Sequence, residues 1–193
     1  MTTCPPHAAP PHADLQPSAW VRRWSPLLRD GASVLDVACG HGRHMRWFAE
    51  RGHAVTGVDR DPRALAAAAA WGAVVEADIE GGPWPLADRR FGAVVVTHYL
   101  WRPLLPTLLA AVEPGGVLIY ETFAAGNESI GKPSRPDFLL QPGELLRACA
   151  GPDWRVVAYE DGFLAPPERF VQRIAAVRRQ ARAPTAAPAR YPL

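Results

Sequence analysis

Lysine is nearly absent from this chain. Of 21 basic residues only Lys132 is a lysine; the rest are arginines, set against 19 acids for a net charge of +2. The basic residues crowd only at Arg169, Arg173, Arg178, Arg179 and Arg182. A dedicated nucleic-acid surface usually shows a clustered basic stripe, so this balance argues against one. The three cysteines, Cys4, Cys39 and Cys149, are odd in number and widely spaced, which suggests neither a disulfide framework nor a structural zinc site. Long apolar runs are missing too. Mean hydropathy is −0.08, and the Ala-rich run 65–75 is interrupted by Trp71 and Gly72. That falls short of the roughly 18 apolar residues a membrane helix needs, so no spanning segment is expected. The stretch MTTCPPHAAPPHADLQP has no positive start followed by an apolar core. No secretion signal is read there, and the expected address is the cytoplasm. No internal repeat is present.

What is there suits one domain. The chain has 193 residues, 48% apolar and 21% charged, enough for one sizeable core. Residues 1–14 and 180–193 are rich in Pro and Ala without an apolar period and read as flexible tails around a domain at 15–179. Ser18 is a plausible N-cap for a short helix with Trp20, Trp24, Leu27 and Leu28 on one face, Pro26 leaving its second half uncertain. From there strands and helices alternate. Strands are expected at 33–37, 54–58, 73–77, 92–97, 116–121, 155–160 and 169–177. Helices are expected around 43–51, 62–71, 104–112 and 144–150. Alternation of this kind implies a mostly parallel, Rossmann-like α/β sheet with helices on both faces. The seventh strand follows the sixth too closely for a crossover helix and should return antiparallel.

The most informative stretch is Val34-Leu35-Asp36-Val37-Ala38-Cys39-Gly40-His41-Gly42-Arg43. A strand ends in an acid, a glycine-containing turn follows, and a helix begins. Glycines admit close backbone approach, and the helix start offers free N–H groups to a carboxylate or phosphate. Dinucleotide sites present G-x-G-x-x-G at this turn, which this stretch does not fit, and Asp36 would repel a pyrophosphate. An acid there suits a cationic ligand such as an amino group or a sulfonium. Asp59 ends the second strand, where a carboxylate can accept both ribose hydroxyls of a nucleoside. Asp78 follows the third strand, placed to accept the exocyclic amine of adenine with Ile79 against the ring. Each acid taken singly also reads as a cap or turn former.

Together these segments resemble the class I S-adenosylmethionine (SAM)-dependent methyltransferases over about Ser18–Arg179. Their fold, a seven-stranded sheet with an antiparallel last strand, agrees with the reading above. The resemblance implies that Asp36 and the turn of Ala38, Cys39, Gly40 and Gly42 hold the methionine part, with Arg43 near its carboxylate. It further implies Asp59 at the ribose, Asp78 and Ile79 at the adenine, and Arg60 and Thr97 among the cofactor-binding residues. SAM would be the cofactor and S-adenosylhomocysteine (SAH) its product. Ala38 departs from the usual D-x-G-x-G by replacing the first glycine.

The methyl acceptor is less legible. Acceptor groups should come from the loops after the fourth and fifth strands. His98 is the candidate general base, or a histidine closing the strand. Glu121 binds an acceptor amine or caps the next segment. Tyr99, Trp101, Arg102 and Asn127 are candidate substrate contacts, the aromatics reading equally as packing. The polar stretch 124–142 is long enough to be functional or disordered. His41 and His44 with Asp36 match no zinc spacing, so no metal is expected. No Asn-Pro-Pro-Tyr, Asp-Pro-Pro-Tyr or cysteine follows the fourth strand, unlike the methyltransferases acting on nucleic-acid bases. The chain is thus more similar to small-molecule methyltransferases of the tellurite and thiopurine kind. The expected partner is a small polar or soft nucleophile. An RNA methyltransferase with an apron of Arg43, Arg46, Arg102 and Arg135 is one alternative. A non-catalytic SAM-binding protein and a dinucleotide-dependent oxidoreductase are the others. Oligomeric state is not readable.

Overall fold

The computed structural model describes residues 16–180 and 190–191. Residues 1–14 and most of 181–193, read above as tails, lie outside the described residues, as does Cys4. Seven strands form one sheet in the order β3-β2-β1-β4-β5-β7-β6: β1 Val34–Val37, β2 Val55–Asp59, β3 Ala73–Glu76, β4 Phe91–Thr97, β5 Val112–Phe123, β6 Trp154–Leu164 and β7 Arg169–Arg178. The strands β1 to β5 pair in parallel, and β7 runs antiparallel between β5 and β6. The dinucleotide order 3-2-1-4-5-6 has no such inserted antiparallel strand.

Helices α1 (Ala19–Trp24), α2 (Arg43–Ala49) and α3 (Pro62–Ala68) cover one face; α4 (Leu105–Ala111) and α5 (Glu144–Ala148) cover the other. Sequence explains why each face is filled. Central strand β4 is FGAVVVT, buried at every residue because helices lie on both sides. Trp20, Val21 and Trp24 share the inner side of α1, and the Trp20 indole N–H donates to the Ile174 carbonyl at 3.1 Å, fastening α1 to β7. Ser18 caps α1 by accepting from the Trp20 N–H at 3.0 Å. Pro26 ends the helix, and Ser25–Leu27 forms one 3-10 turn instead of a second half.

Close packing places α2 on the sheet. A Cβ at Gly57 would sit 2.3 Å from Met45 Sδ and 2.7 Å from Cys39 Sγ, so only glycine lets α2 approach β2 this closely. β5 starts at Val112, four residues earlier than the apolar run suggests, because α4 stops at Ala111 and its chain enters the ladder directly. β6 runs four residues past its expected end, to Leu164, because it stays paired with β7 as far as Arg169. No helix among the described residues is long and apolar enough to cross a membrane.

Candidate functional site

Parallel register brings the ends of β1, β2 and β3 to one edge. Val37 pairs with Val58, and Asp59 with Glu76, so Ala38 comes level with Asp59. The turn after β1 is built from left-handed backbone: Ala38 has φ 52°, Gly40 φ 52° and Gly42 φ 78°. Glycine adopts this region freely, but Ala38 does so at a cost, which the surrounding turn must hold in place. Asp59 locks the turn by accepting from Gly40 N–H at 2.8 Å and from Asp61 N–H at 3.0 Å. A Cβ added at Gly40 would meet nothing within 4 Å, so the space before the turn is open. Asp78 accepts from the N–H groups of Glu80 and Gly81 at 3.0 and 3.2 Å, and these bonds hold its carboxyl below the usual range.

These pieces enclose a cavity of about 210 Å³ lined by Ala38, Asp59, Arg60, Asp78, Ile79 and Tyr99, with Ala77 and Glu80 completing its rim. Five of the residues expected to hold the cofactor, Ala38, Asp59, Arg60, Asp78 and Ile79, therefore line one cavity. Tyr99, expected on the acceptor side, stands between this cavity and a second of about 270 Å³ that runs along His98, Thr122 and Phe123.

Asp36 sits elsewhere. By register it lies two residues below the sheet edge, about 7 Å at the usual rise. It is buried behind the turn, on the α1 and α2 face, with His44 Nδ1 3.9 Å from Oδ1 and no partner at Oδ2. Burial pushes its pKa up to about 7, opposed by Arg43 and the Met45 N–H and reinforced by Asp59. His44 Nε2 accepts from the Ser18 N–H at 3.1 Å, which places the ring proton on Nδ1. Burial then holds His44 well below its ordinary pKa. Cys39 is a packed thiol pushed far up by burial and by Asp36, so it is no nucleophile at neutral pH.

On the same face a polar row crosses four strands in register: Thr97, Glu121, Arg173 and Glu160. Glu121 is buried and both its oxygens are engaged. Ser18 Oγ donates to Oε1 at 2.9 Å and Arg173 Nη1 to Oε2 at 3.2 Å. Arg173 is also paired with Glu160 and lies over the Trp20 ring at 4.6 Å. Glu121 thus ties α1 to the sheet. Arg43 opens α2 and sends Nη2 to Thr97 Oγ1 at 3.4 Å, with His98 Nδ1 at 3.5 Å. His98 holds a left-handed backbone, φ 54°, just past β4 and stacks on Phe123 at 5.2 Å. Desolvation, then Arg43, keeps its pKa below the ordinary value.

Three other candidate contacts are engaged within the protein. Arg102 makes a two-pronged pair with Glu144 at 2.7 and 2.9 Å and donates to the carbonyls of Asp137 and Leu139, both at 2.8 Å. Asn127 is buried; its amide donates to Pro133 O and its oxygen accepts from the Phe170 N–H. Trp101 packs against the core on the α4 side. The loop 124–142 is accordingly an ordered structure, with 3-10 turns at Asn127–Ser129 and Pro136–Phe138 and a bridge from Ala124 to Leu140. Sequence reasoning missed Ser18, His44 and Arg173 as partners of the site acids. The capping signal at Ser18 and the grouping of His44 with Asp36 were the pointers to them.

Residues 34–116 match the family model described as a methyltransferase domain. Over 106 residues the chain is 38% identical to malonyl-[acyl-carrier protein] O-methyltransferase of Serratia marcescens, covering 50% of this chain and 40% of that protein. A shorter stretch of 42 residues is 60% identical to ribosomal RNA small subunit methyltransferase H of Gemmatimonas aurantiaca, 22% of this chain and 13% of that one. The chain spans less than half the length of both curated relatives. The crystal structure of TehB from Haemophilus influenzae superposes with a TM-score of 0.66 at 17% identity, over 83% of this chain and 61% of that chain.

The similarity to a methyltransferase domain thus covers residues 34–116, and the fold is shared with TehB. The matched segment runs from β1 through the start of β5 and so contains the turn, Asp59, Asp78 and His98. The loop 124–142 and the β6–β7 hairpin lie outside the matched residues.

Proposed function

We propose that this protein is a SAM-dependent methyltransferase acting on a small, polar or soft nucleophile. The observation that carries the reading is the cavity joining Ala38, Asp59, Asp78 and Ile79 at three successive strand ends. The donor set fits SAM. Asp59 and Asp78 are acceptors for hydroxyl and amine groups, Ile79 offers an apolar face, the turn before Gly40 is open, and Asp36 has an unpartnered buried oxygen. SAM supplies a methyl group on an electrophilic sulfonium, and the protein's task is alignment. Asp59 would hold the ribose while bracing the turn. Asp78 stays ionised because backbone N–H groups bond its charged form. Asp36 puts a neutralisable acid behind the methionine side. His98 has a lowered pKa and its Nδ1 faces the Arg43 guanidinium, so it would take a proton from an acceptor at Nδ1 once that acceptor displaces Arg43.

The RNA alternative is weakened by where its arginines go. Arg43 faces Thr97 and His98, Arg102 grips Glu144 and the loop carbonyls, and Arg135 pairs with Asp137 at 2.9 Å. Cytoplasmic residence is part of the proposal. Incubation with SAM and a panel of small thiols, amines and carboxylates, followed by quantitation of SAH, tests the activity. Acceptor-dependent SAH production is expected; SAH binding without turnover on any acceptor class would favour a non-catalytic protein.

A further inference from the structure

Beyond His98 the trough continues into a third cavity of about 260 Å³. His98 and Phe123 line both it and the neighbouring cavity, so the space runs from the Asp59 side to the β6–β7 turn. Its walls combine apolar surface from Phe123, Ile130 and Pro167 with two cations, Lys132 and Arg169, and one acid, Glu168. Neither cation pairs with a carboxylate among the described residues. Arg169 Nη1 donates to the Pro167 carbonyl at 3.3 Å, while its Nε is buried with no partner at all. A guanidinium lining a cavity without a carboxylate partner is best matched by a carboxylate, which accepts two parallel bonds.

We propose that this cavity is the acceptor subsite and takes a small molecule with an apolar body and a carboxylate head. The carboxylate is held by Arg169 and Lys132, and the body lies against Phe123 and Ile130. Glu168 disfavours a second negative charge at the rim, so a monoanion suits the site better than a polyanion. The assignment rests on the methyltransferase reading, since it places the acceptor next to a nucleoside cavity. It does not require the carboxylate oxygen to be the methylated atom.

The test is calorimetric titration of the SAH-saturated protein with benzoate and, separately, with its neutral counterpart benzamide. Benzoate is expected to bind and benzamide to bind roughly tenfold or more weakly, as loss of a charge-assisted hydrogen bond implies. Arg169→Ala should weaken benzoate by roughly tenfold or more while leaving SAH affinity within about twofold, with part of the loss restored in Arg169→Lys. Lys132 is exposed, so Lys132→Ala should fold normally and weaken benzoate by a smaller factor. Equal binding of benzoate and benzamide, or benzoate affinity unchanged in both alanine variants, overturns the subsite. So does absence of benzoate binding to protein that binds SAH, and in that case the methyltransferase reading stands. Failure of the folded protein to bind SAH removes both.

Discussion

Replacing Asp36 by asparagine should stabilise the protein, and only above a certain pH. Burial raises the Asp36 pKa from 3.8 to about 7. In the unfolded chain the group loses its proton near the lower value, in the folded protein near the higher one. Between them the folded state binds the extra proton, so this group's contribution makes stability fall as pH rises. Below about pH 4 it costs nothing, and above about pH 7 the full cost is present. A shift of that size corresponds to about 4 kcal/mol, at about 1.36 kcal/mol per pH unit. Asparagine is nearly isosteric, never ionises, and still offers an oxygen to the Met45 N–H. Urea denaturation followed by circular dichroism at intervals from pH 4 to pH 8 measures the effect. The variant and the parent should agree near pH 4, and the variant should gain steadily up to about 4 kcal/mol at pH 8. His44, held below its ordinary pKa, contributes a slope of the opposite sign as pH rises toward 6.5; present in both proteins, it cancels in the difference. A constant difference across the range, or a less stable variant at pH 8, would refute the reasoning.

Gly42→Ala should lose about 2 kcal/mol or more in urea denaturation, because the new Cβ would lie 2.9 Å from Ala68 Cα at a backbone φ of 78°. Unchanged stability there would mean that α2 and α3 are free to separate. Glu121→Gln should destabilise by about 1–3 kcal/mol, since Arg173 keeps Glu160 but loses one buried partner. Its specific activity per folded molecule should stay within about threefold; a loss of a hundredfold or more would make Glu121 a group that reacts. Arg102→Ala should cost roughly 1–2 kcal/mol after allowance for its exposure, and should speed amide hydrogen exchange across residues 137–145. Exchange unaltered in that segment would show that Arg102 does not hold the loop.

The seven strands and the antiparallel return of the last were readable, the central ones because strands buried on both faces carry continuous apolar runs, as in AVVVT of β4; the order across the sheet was not. Asp59, Asp78 and Ile79 were readable as well, since strand ends in a parallel sheet share an edge. Asp36 was harder. Its position in sequence does not show that it lies below the edge and faces α1, which depends on register with β2 and on where Trp20 packs. Arg102 and Asn127 looked available for substrate because their partners lie 42 and 43 residues away, in Glu144 and Phe170. Chain-distant hydrogen bonds leave no local pattern. The cationic end of the trough was hidden for the same reason: Lys132 and Arg169 meet only when the long loop folds against the β6–β7 hairpin.

The central claim is that the cavity at the ends of β1, β2 and β3 binds SAM. Calorimetric titration with SAH, beside NADH and an Asp59→Ala control, tests it most directly. Saturable SAH binding is expected, weakened by roughly a hundredfold in the variant, which loses charge-assisted acceptors for two ribose hydroxyls. Saturable binding of NADH in place of SAH, by protein shown to be folded, would contradict it.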